Sequence, residues 1–394
     1  MGLPLGRKIA TLINKARTGF FAVVIAVFPV AATLAGPQED AEAAYKRGDF
    51  ATAYRLYLIL AQADNAVAQR SLGAMYIEGH GVPQDTTEAV KWYRRAADRG
   101  DAQAQRSLGV MYYYGTGVPE SFDEAAKWQR RAADQGDAEA QVNLGNAYVK
   151  GEGVPQDYAE AVKWYRRAAD QGNARAQFCL GIMYDDGHGV PQNDTEAVKW
   201  VRLAAEHGLA QASDALGSMY SQGHGVPRND TEAVKWYRLA AEQGDVRDQV
   251  KLGTLYVKGE GVPQDHAEAV KWFRLAAEQG DTHAQVNLAT LYLEGEGVPQ
   301  DYAEAVKWFR RAAEQGNALA QGELGDMYMR GSGVPSDYTL AYMWFNLAAA
   351  GGLRPAPEGR DSVAKLMTPA QIAQAEKLSR EWQPKPELAK GVAP

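Results

Sequence analysis

The tripeptide Gly-Val-Pro occurs eight times in this chain, and successive copies are always 36 residues apart. The first residues of the copies are Gly81, Gly117, Gly153, Gly189, Gly225, Gly261, Gly297 and Gly333. Eight tryptophans keep the same interval: Trp92, Trp128, Trp164, Trp200, Trp236, Trp272, Trp308 and Trp344. A fixed period in this range is typical of a solenoid, in which each unit buries its apolar face against its neighbours. The repeats therefore direct the search for function toward a surface.

One repeat, residues 101–136, carries the signals for two helices. Asp101 is placed to cap a first helix with an apolar stripe, and Gly115 ends that helix. A second helix begins after Ser121, with Glu124 three residues later, as in a capping box. The same box is predicted for Asp85 with Glu88, Asp157 with Glu160, Asp265 with Glu268, and Asp301 with Glu304. The sequence therefore predicts an all-α fold, an array of antiparallel helix pairs.

The fixed positions of this repeat match a known pattern. They are Ala102, Ala104, Gln105, Leu108, Gly109, Met111, Tyr112, Gly115, Gly117, Val118, Pro119, Glu124, Ala125, Trp128, Ala132, Ala133 and Gly136. In these residues the repeat resembles the Sel-1-like repeat family, a relative of the tetratricopeptide repeats. The resemblance implies an α/α solenoid wound as a right-handed superhelix, and a role as an interaction scaffold.

The repeats divide the chain into five parts. Residues 65–352 are eight Sel-1-like repeats, preceded at 36–64 by a degenerate half-repeat that caps the array. Residues 353–383 are predicted to form capping helices, the last of which begins at Thr368 with Pro369 in its first turn. Residues 384–394 are predicted to be a disordered tail.

Residues 1–35 contain four basic residues, no acidic residue and an apolar run from Phe20 to Ala35. This pattern favours a secretory signal peptide, and hence a periplasmic or secreted protein. Two alternatives remain: an uncleaved anchor in the inner membrane, and an organelle transit peptide. The apolar run contains Pro29 and is short for a membrane span. A membrane is therefore an expected partner only if this segment is not cleaved.

Charge and cysteine content exclude several classes of function. The net charge is −7, and it becomes about −11 without residues 1–35, which disfavours nucleic-acid binding. Cys179 is the single cysteine, so an intramolecular disulfide and a cysteine-based zinc site are both excluded. Cys179 replaces small residues of other repeats and is interpreted as a packing residue.

Neither the tryptophans nor the histidine loops predict a ligand site. One tryptophan in each repeat, always beside a core-facing residue, indicates packing between repeats. The basic stripe of Lys91, Arg94 and Arg95 is interpreted as a solvated helix face. His80, His188 and His224 lie in equivalent loops, too far apart to share one metal ion. We therefore predict no metal site, no cofactor and no catalytic residues.

Comparison of the repeats separates scaffold positions from a variable face. First-helix positions equivalent to residues 103, 106, 107, 110, 113 and 114 change in nearly every copy and share one side of the helix. The family resemblance places this side on the concave surface. The candidate partner-binding residues are Gln103, Arg106, Tyr113, Tyr114, Arg175, Phe178, Asp185, Asp186, Arg247, Lys251 and His283. The hypothesis is that Tyr113, Tyr114 and Phe178 anchor a protein or peptide partner; the alternative is drift at solvent positions.

The predicted function is that of a non-catalytic protein-interaction scaffold of the cell envelope. The alternative is an envelope hydrolase, or a receptor for small ligands from cell-wall material. Some cysteine-rich bacterial members of the family are connected with β-lactam binding or hydrolysis. Those members have a disulfide in each repeat, and the single cysteine of this chain disfavours that activity here.

Overall fold

The computed structural model describes residues 36–385, and this part of the chain contains twenty α-helices and no β-strand. The helices are α1 Pro37–Lys46, α2 Phe50–Gln62, α3 Ala66–Glu78, α4 Thr86–Asp98, α5 Ala102–Tyr114, α6 Phe122–Asp134, α7 Ala138–Lys150, α8 Tyr158–Ala169, α9 Ala174–Asp186, α10 Asp194–Glu206, α11 Ala210–Gln222, α12 Asp230–Glu242, α13 Val246–Lys258, α14 His266–Glu278, α15 Thr282–Glu294, α16 Tyr302–Glu314, α17 Ala318–Arg330, α18 Tyr338–Ala350, α19 Ala356–Ala364 and α20 Pro369–Glu381. Consecutive helices pack against each other from α1 to α19, and α20 packs against α18. The predicted all-α solenoid is confirmed.

Each repeat is one helix pair, and we name its first helix A and its second helix B. Repeat one is α3 with α4, and repeat eight is α17 with α18. In repeat two the Asp101 side chain accepts a hydrogen bond from the Ala104 amide at 2.8 Å, which caps α5. Gly115, with φ of 67°, ends α5 in the left-handed conformation that glycine favours. Leu209, which cannot cap, is followed by a helix without a side-chain cap.

The helix-B start differs from the predicted capping box in one respect. Asp85 accepts hydrogen bonds from the Thr87 and Glu88 amides, at 2.9 and 3.0 Å. The Glu88 carboxylate does not return the bond and pairs instead with Lys91 at 2.5 Å, one turn along the helix. The equivalent glutamates in the other repeats with this pair behave in the same way. A nearby ammonium thus replaces the backbone N–H as the partner of the carboxylate.

The Gly-Val-Pro loops lie directly on the preceding helix pair. Gly81 has a φ of 75°, and a Cβ at this position would lie 2.6 Å from the carbonyl oxygen of Phe50, the first residue of α2. No side chain fits in that gap, so only glycine permits the approach. The later repeats make the same contact with the first turn of the preceding helix B. The constant spacing of the tripeptide therefore reflects a backbone contact between successive helix pairs.

The tryptophans connect each repeat to the one before it. Trp164 lies in a core cluster with Ala132 and Ala133 of repeat two, and Trp128 packs in the same way on Ala96 and Ala97 of repeat one. Six of the eight are buried, whereas Trp92 and Trp236 are half-buried. Within the described array, the buried tryptophans therefore pack between repeats and have little exposed surface on which a ligand could stack.

Two further polar series join the helix pairs. The buried Gln105 donates from Nε2 to the Ala97 carbonyl of the preceding helix B at 2.9 Å, and its equivalents repeat this bond. Arg94 donates to the Tyr112 hydroxyl of the next helix A, as do the equivalent arginines. The basic stripe was expected to be solvated, and in this respect the expectation was wrong: in repeats one to seven, one arginine bonds the next repeat.

The ends of the array hold more helix than the sequence predicted. Before repeat one there is a whole helix pair, α1 with α2, rather than half a unit, because Pro37 starts a helix that buries Ala41 and Ala44 against α2. Near the other end, α19 forms across Pro355 and Pro357, which occupy its cap and first turn, where a missing N–H breaks no helical bond.

The last helix, α20, covers repeat eight. Thr368 and Gln371 form a complete capping box, Ala375 is buried, and Trp382 meets Trp344 edge to face with ring centroids 6.4 Å apart. Lys385, within the predicted tail, donates from its amide to the Glu314 carbonyl at 2.7 Å. The predicted signal peptide and the tail beyond residue 385 lie outside the described residues. Within 36–385, none of the helices is both long and apolar enough to cross a membrane.

Candidate binding surface on helices A

The variable face, defined as the helix-A positions equivalent to residues 103, 106, 107, 110, 113 and 114, is only partly open to solvent. Among the candidate residues, Gln103, Tyr114, Arg175, Asp186, Arg247 and His283 are exposed, whereas Arg106, Tyr113, Phe178, Asp185 and Lys251 are half-buried. The half-buried side chains contact neighbouring repeats or, in the case of Phe178, pack against an apolar cluster. The face is therefore a mixture of free positions and contacts between repeats.

Several predicted charges pair between consecutive repeats. Arg106 donates from Nε to Asp137 at 3.2 Å, and Arg175 donates from Nη1 to Glu139 at 3.0 Å. Lys251 donates to Asp214 at 2.5 Å. Each pair joins one helix A to the neighbouring one. Of the three pairs, Arg175 with Glu139 is exposed, and an exposed ion pair contributes about 0–1 kcal/mol. The other two are half-buried. All three fix the position of charges that a partner would meet.

One concavity on this face is a cavity of about 190 Å³ lined by repeats two, three and four, which we call the repeat-two cavity. Its lining residues are Gly109, Val110, Tyr113, Tyr114, Phe122, Ala125, Ala126, Gln129, Asn143, Asn146, Ala147, Lys150, Glu152 and Arg175. The floor is formed by small residues, one wall is aromatic, and the rim is polar. Apolar surface with a few convergent polar groups is typical of a binding site.

The cavity gathers variable positions from three repeats. Tyr113, Tyr114 and Arg175 were predicted as candidate residues, and all three line it. Asn143, Asn146 and Lys150 were missed, although they stand at positions equivalent to residues 107, 110 and 114 of the variable face. Because successive helix pairs stack, the equivalent faces of neighbouring helices A lie side by side. A face that is predicted for one repeat therefore continues on the next repeat. Applying the predicted face to each repeat in turn identifies all three missed residues.

The aromatic wall is held by hydrogen bonds. The Tyr113 hydroxyl donates to Glu152 Oε2 at 2.9 Å and accepts from Lys150 Nζ at 3.1 Å. The bond to Tyr113 is the main cause that raises the pKa of Lys150. The Tyr113 ring meets Tyr114 edge to face with centroids 4.9 Å apart, and Tyr114 is 70% exposed. One tyrosine is therefore fixed while its neighbour is free to contact a partner.

Phe178 does not join the two tyrosines. It lies on α9 and packs against the apolar cluster that contains Val201 and Leu216, outside the lining of the cavity. The structure therefore does not bring Tyr113, Tyr114 and Phe178 together into one anchor. The physical reason is that repeat four has valine at residue 201, where most repeats have an aromatic ring, and Phe178 packs against the cluster containing that valine.

A histidine loop meets two carboxylates rather than another histidine. His224 Nε2 lies 2.7 Å from Asp185 Oδ1 and 3.8 Å from Asp194 Oδ1. The three ligand-type atoms lie within 4.8 Å of one another, at half-buried positions. Spacing between equivalent loops did not reveal this juxtaposition, because it joins a loop to the preceding repeat. The polar contacts within the group are explained by hydrogen bonding, and the absence of a metal site stays a prediction.

A second charged cluster surrounds Asp248, a residue that the sequence analysis did not single out. Every other repeat has alanine at this position, and Asp248 is fully buried. Lys251 Nζ lies 3.4 Å from its Oδ1, but neither carboxylate oxygen accepts a hydrogen bond from the described residues. Burial, followed by the charge of Asp214, raises the pKa of Asp248 to about 7. In the sequence, Asp248 could have been found because it departs from the alanine of every other repeat.

Cys179 fits its predicted role as a packing residue. It is half-buried beside the core cluster that contains Leu180 and Met183. Burial raises the pKa of the thiol, which lowers the fraction of the nucleophilic thiolate.

Comparisons with known proteins agree with the helix-pair geometry. The sequence matches the Sel1 repeat in eight consecutive segments: 66–101, 102–137, 138–173, 174–209, 210–245, 247–281, 282–317 and 318–353. It is 34% identical to a protective antigen of uropathogenic Escherichia coli with an SLR fold, over 88% of this chain and 91% of that one, with a TM-score of 0.49. It is 32% identical to a Sel1 repeat protein from Oxalobacter formigenes, over 61% of this chain and 97% of that one, with a TM-score of 0.56. No curated protein matches the chain.

Proposed function

Because the chain belongs to the Sel1 repeat family, whose members are generally protein-interaction scaffolds and typically not enzymes, we propose that it binds a protein partner on the variable face of its helices A. The observation that carries this proposal is the repeat-two cavity. Variable positions of three consecutive repeats converge there on an apolar floor with a polar rim. An exposed tyrosine beside it is of the type enriched at protein interfaces.

The fixed positions support a scaffold role for the rest of the repeat. Tryptophan, glutamine and arginine join successive helix pairs, and their constancy follows from those contacts. Exposed variable positions such as Tyr114 are not fixed by these contacts, so they are available to recognise a partner. The net charge of −7 favours a protein over a nucleic acid as that partner.

The double variant Tyr113→Ala with Tyr114→Ala tests the proposal. We expect it to lose most of the partner captured by crosslinking from the native source, because it removes the aromatic wall of the cavity and an exposed anchor. The control is Tyr302→Ala, which removes a tyrosine that is 42% exposed on helix B, away from the cavity. Equal capture by the wild type and the double variant, with unchanged far-ultraviolet circular dichroism, would refute the proposal.

We further propose that the chain acts in the cell envelope, exported by residues 1–35. The support is the order of basic residues, apolar run and small residues in the sequence. Expression of the full chain in a Gram-negative host should yield a soluble periplasmic protein whose N-terminus lies near residue 36. An intact N-terminus in the membrane fraction would instead favour the inner-membrane anchor.

A further inference from the structure

Repeat three has a pair of asparagines on its variable face. Asn143 and Asn146 lie on α7, at the positions equivalent to residues 107 and 110, and no other repeat has asparagine at both. Both side chains are half-buried and line the repeat-two cavity. Residues three apart on a helix have their Cβ atoms about 5–6 Å from each other. The cavity therefore has two neighbouring carboxamides in its lining.

These carboxamides are open to a ligand. The Asn143 amide makes no hydrogen bond to the described residues, and neither its oxygen nor its nitrogen is sealed from solvent. Asn146 Oδ1 accepts a hydrogen bond from the Tyr165 hydroxyl at 2.6 Å, which leaves its Nδ2 without a partner among the described residues. The pair thus offers two donor groups and one acceptor.

Polar side chains at the equivalent positions of other repeats are used within the array. Ser71 and Thr254 each donate to the carbonyl four residues earlier in their own helix, at 2.9 Å. Lys251 pairs with Asp214 of the preceding repeat. Repeat three therefore differs from these repeats in keeping its polar groups free at this place.

The charged groups of the cavity rim are already paired. Lys150 Nζ lies 3.6 Å from Glu152 Oε2, and Arg175 donates to Glu139 at 3.0 Å. A strongly charged ligand would have to displace one of these partners. The open polar groups on the α7 side of the cavity are thus the uncharged asparagines, which favour an uncharged polar ligand.

We propose, building on the scaffold function above, that the repeat-two cavity binds an extended peptide segment of the protein partner, with Asn143 and Asn146 bonded to its main chain. A carboxamide holds a donor and an acceptor side by side, and each residue of a main chain offers one N–H and one C=O. Asn143 would accept from the N–H and donate to the C=O of one residue. Asn146 would donate to the C=O of the second residue along.

The spacing of an extended chain fits this arrangement. Residues two apart expose their main-chain groups on the same edge and lie about 6.6–6.8 Å from each other, close to the separation of two asparagines one helical turn apart. The small apolar residues of the cavity floor would then contact an apolar side chain of the peptide.

The probe is the blocked pentapeptide Ac-Ala-Ala-Leu-Ala-Ala-amide, titrated into the full chain and followed by the side-chain amide signals of Asn143 and Asn146 in NMR spectra. Its matched analogue has esters in place of the two amides that flank leucine, so it lacks their N–H donors. We expect the peptide to bind about fivefold more tightly than the ester analogue, the effect of one hydrogen bond.

Asn143→Leu removes the acceptor for the peptide N–H at a similar side-chain volume, so it should bind the two probes almost equally. The matched control is Asn287→Leu, which makes the same change at the equivalent position of repeat seven, outside the cavity lining. It should keep the preference of the wild type for the peptide.

Failure of the wild type to bind the pentapeptide, equal binding of the two probes, or an unchanged preference in Asn143→Leu would overturn the inference. So would signals of Asn143 and Asn146 that respond to N,N′-diacetylchitobiose and not to the peptide, since they would assign the amides to a glycan. Failure of the proposed function is distinguishable. Equal capture of a partner by the wild type and by Asn143→Leu leaves the scaffold function standing and removes the role of Asn143, whereas capture of no partner by the wild type contradicts the function itself.

Discussion

Replacing Asp248 by alanine is expected to stabilise the protein at neutral pH by up to about 4 kcal/mol, since a tenfold change in the acid dissociation constant on folding corresponds to about 1.4 kcal/mol. Asp248 is a fully buried carboxyl at a position that alanine occupies in every other repeat. Its alanine variant therefore restores the side chain for which the surrounding packing is built. Substitutions more often destabilise a protein, so a gain of this size is a specific expectation.

The effect should depend on pH in a defined direction. Burial, and then the charge of Asp214, raises the pKa of Asp248 from 3.8 to about 7 in the folded chain. Lys251 acts in the opposite sense, and Asp245 adds to the increase. Between pH 4 and 7 the unfolded chain has lost this proton while the folded chain retains it. The free energy of unfolding of the wild type should therefore fall across this window, relative to the variant, and level off above it.

Urea unfolding of wild type and Asp248→Ala at pH 4, 5.5, 7 and 8 measures this difference. Asp248→Asn is the matched control, because it removes the ionisation while keeping a buried polar group. It should flatten the pH dependence but stabilise the chain less than alanine does. A difference between wild type and Asp248→Ala that stays constant from pH 4 to 8 would contradict this assignment of the buried carboxyl.

Replacing Trp308 by alanine should destabilise the protein by about 3–5 kcal/mol. Trp308 is 4% exposed and lies in the core cluster shared by the later repeats. Its removal leaves a cavity at a junction between repeats, and stability in a solenoid depends on such junctions. The unfolding midpoint in urea, followed by far-ultraviolet circular dichroism, measures the loss.

Trp236→Ala serves as the comparison, because Trp236 is half-buried at the equivalent position. Its loss should be clearly smaller, since less apolar area leaves water at that site. Equal losses for the two variants would indicate that the tryptophans do not act through burial. No measurable loss at Trp308 would contradict the packing role altogether.

The sequence was sufficient to predict the repeat but not its polar detail. Period, caps and the tryptophan position predicted the helix pairs, because these signals are local or repeated in register. The capping boxes were predicted only in part: the first residue of each box caps the helix, but the glutamate does not bond back to it. In repeat one Glu88 pairs with Lys91 instead, and this choice depends on side-chain geometry. Helix α1 was missed because its buried positions are small residues, Ala41 and Ala44, which give a weak periodic signal.

The candidate surface was predicted less completely than the fold. Tyr113, Tyr114 and Arg175 were identified because they vary among repeats, and the fold brings them to one cavity. Gln129 was missed because helix B was treated as scaffold throughout. Both Gln129 and Asp248 interrupt otherwise constant positions, where comparison among repeats is most informative. Which variable positions form pairs, such as His224 with Asp185, depends on contacts between repeats that no single unit encodes.

Partner recognition should depend on the repeat-two cavity, and one measurement tests this dependence most directly. Gln129→Tyr places a larger side chain in the lining of the cavity, whereas Val201→Tyr makes the same kind of change at the equivalent position of repeat four, outside the lining. The amount of partner crosslinked to each variant is compared, with the unfolding midpoint of each variant measured in parallel. We expect Gln129→Tyr to be at least as stable as wild type and to capture little partner, while Val201→Tyr captures the wild-type amount. Equal capture by the two variants would contradict a role of the cavity in recognition.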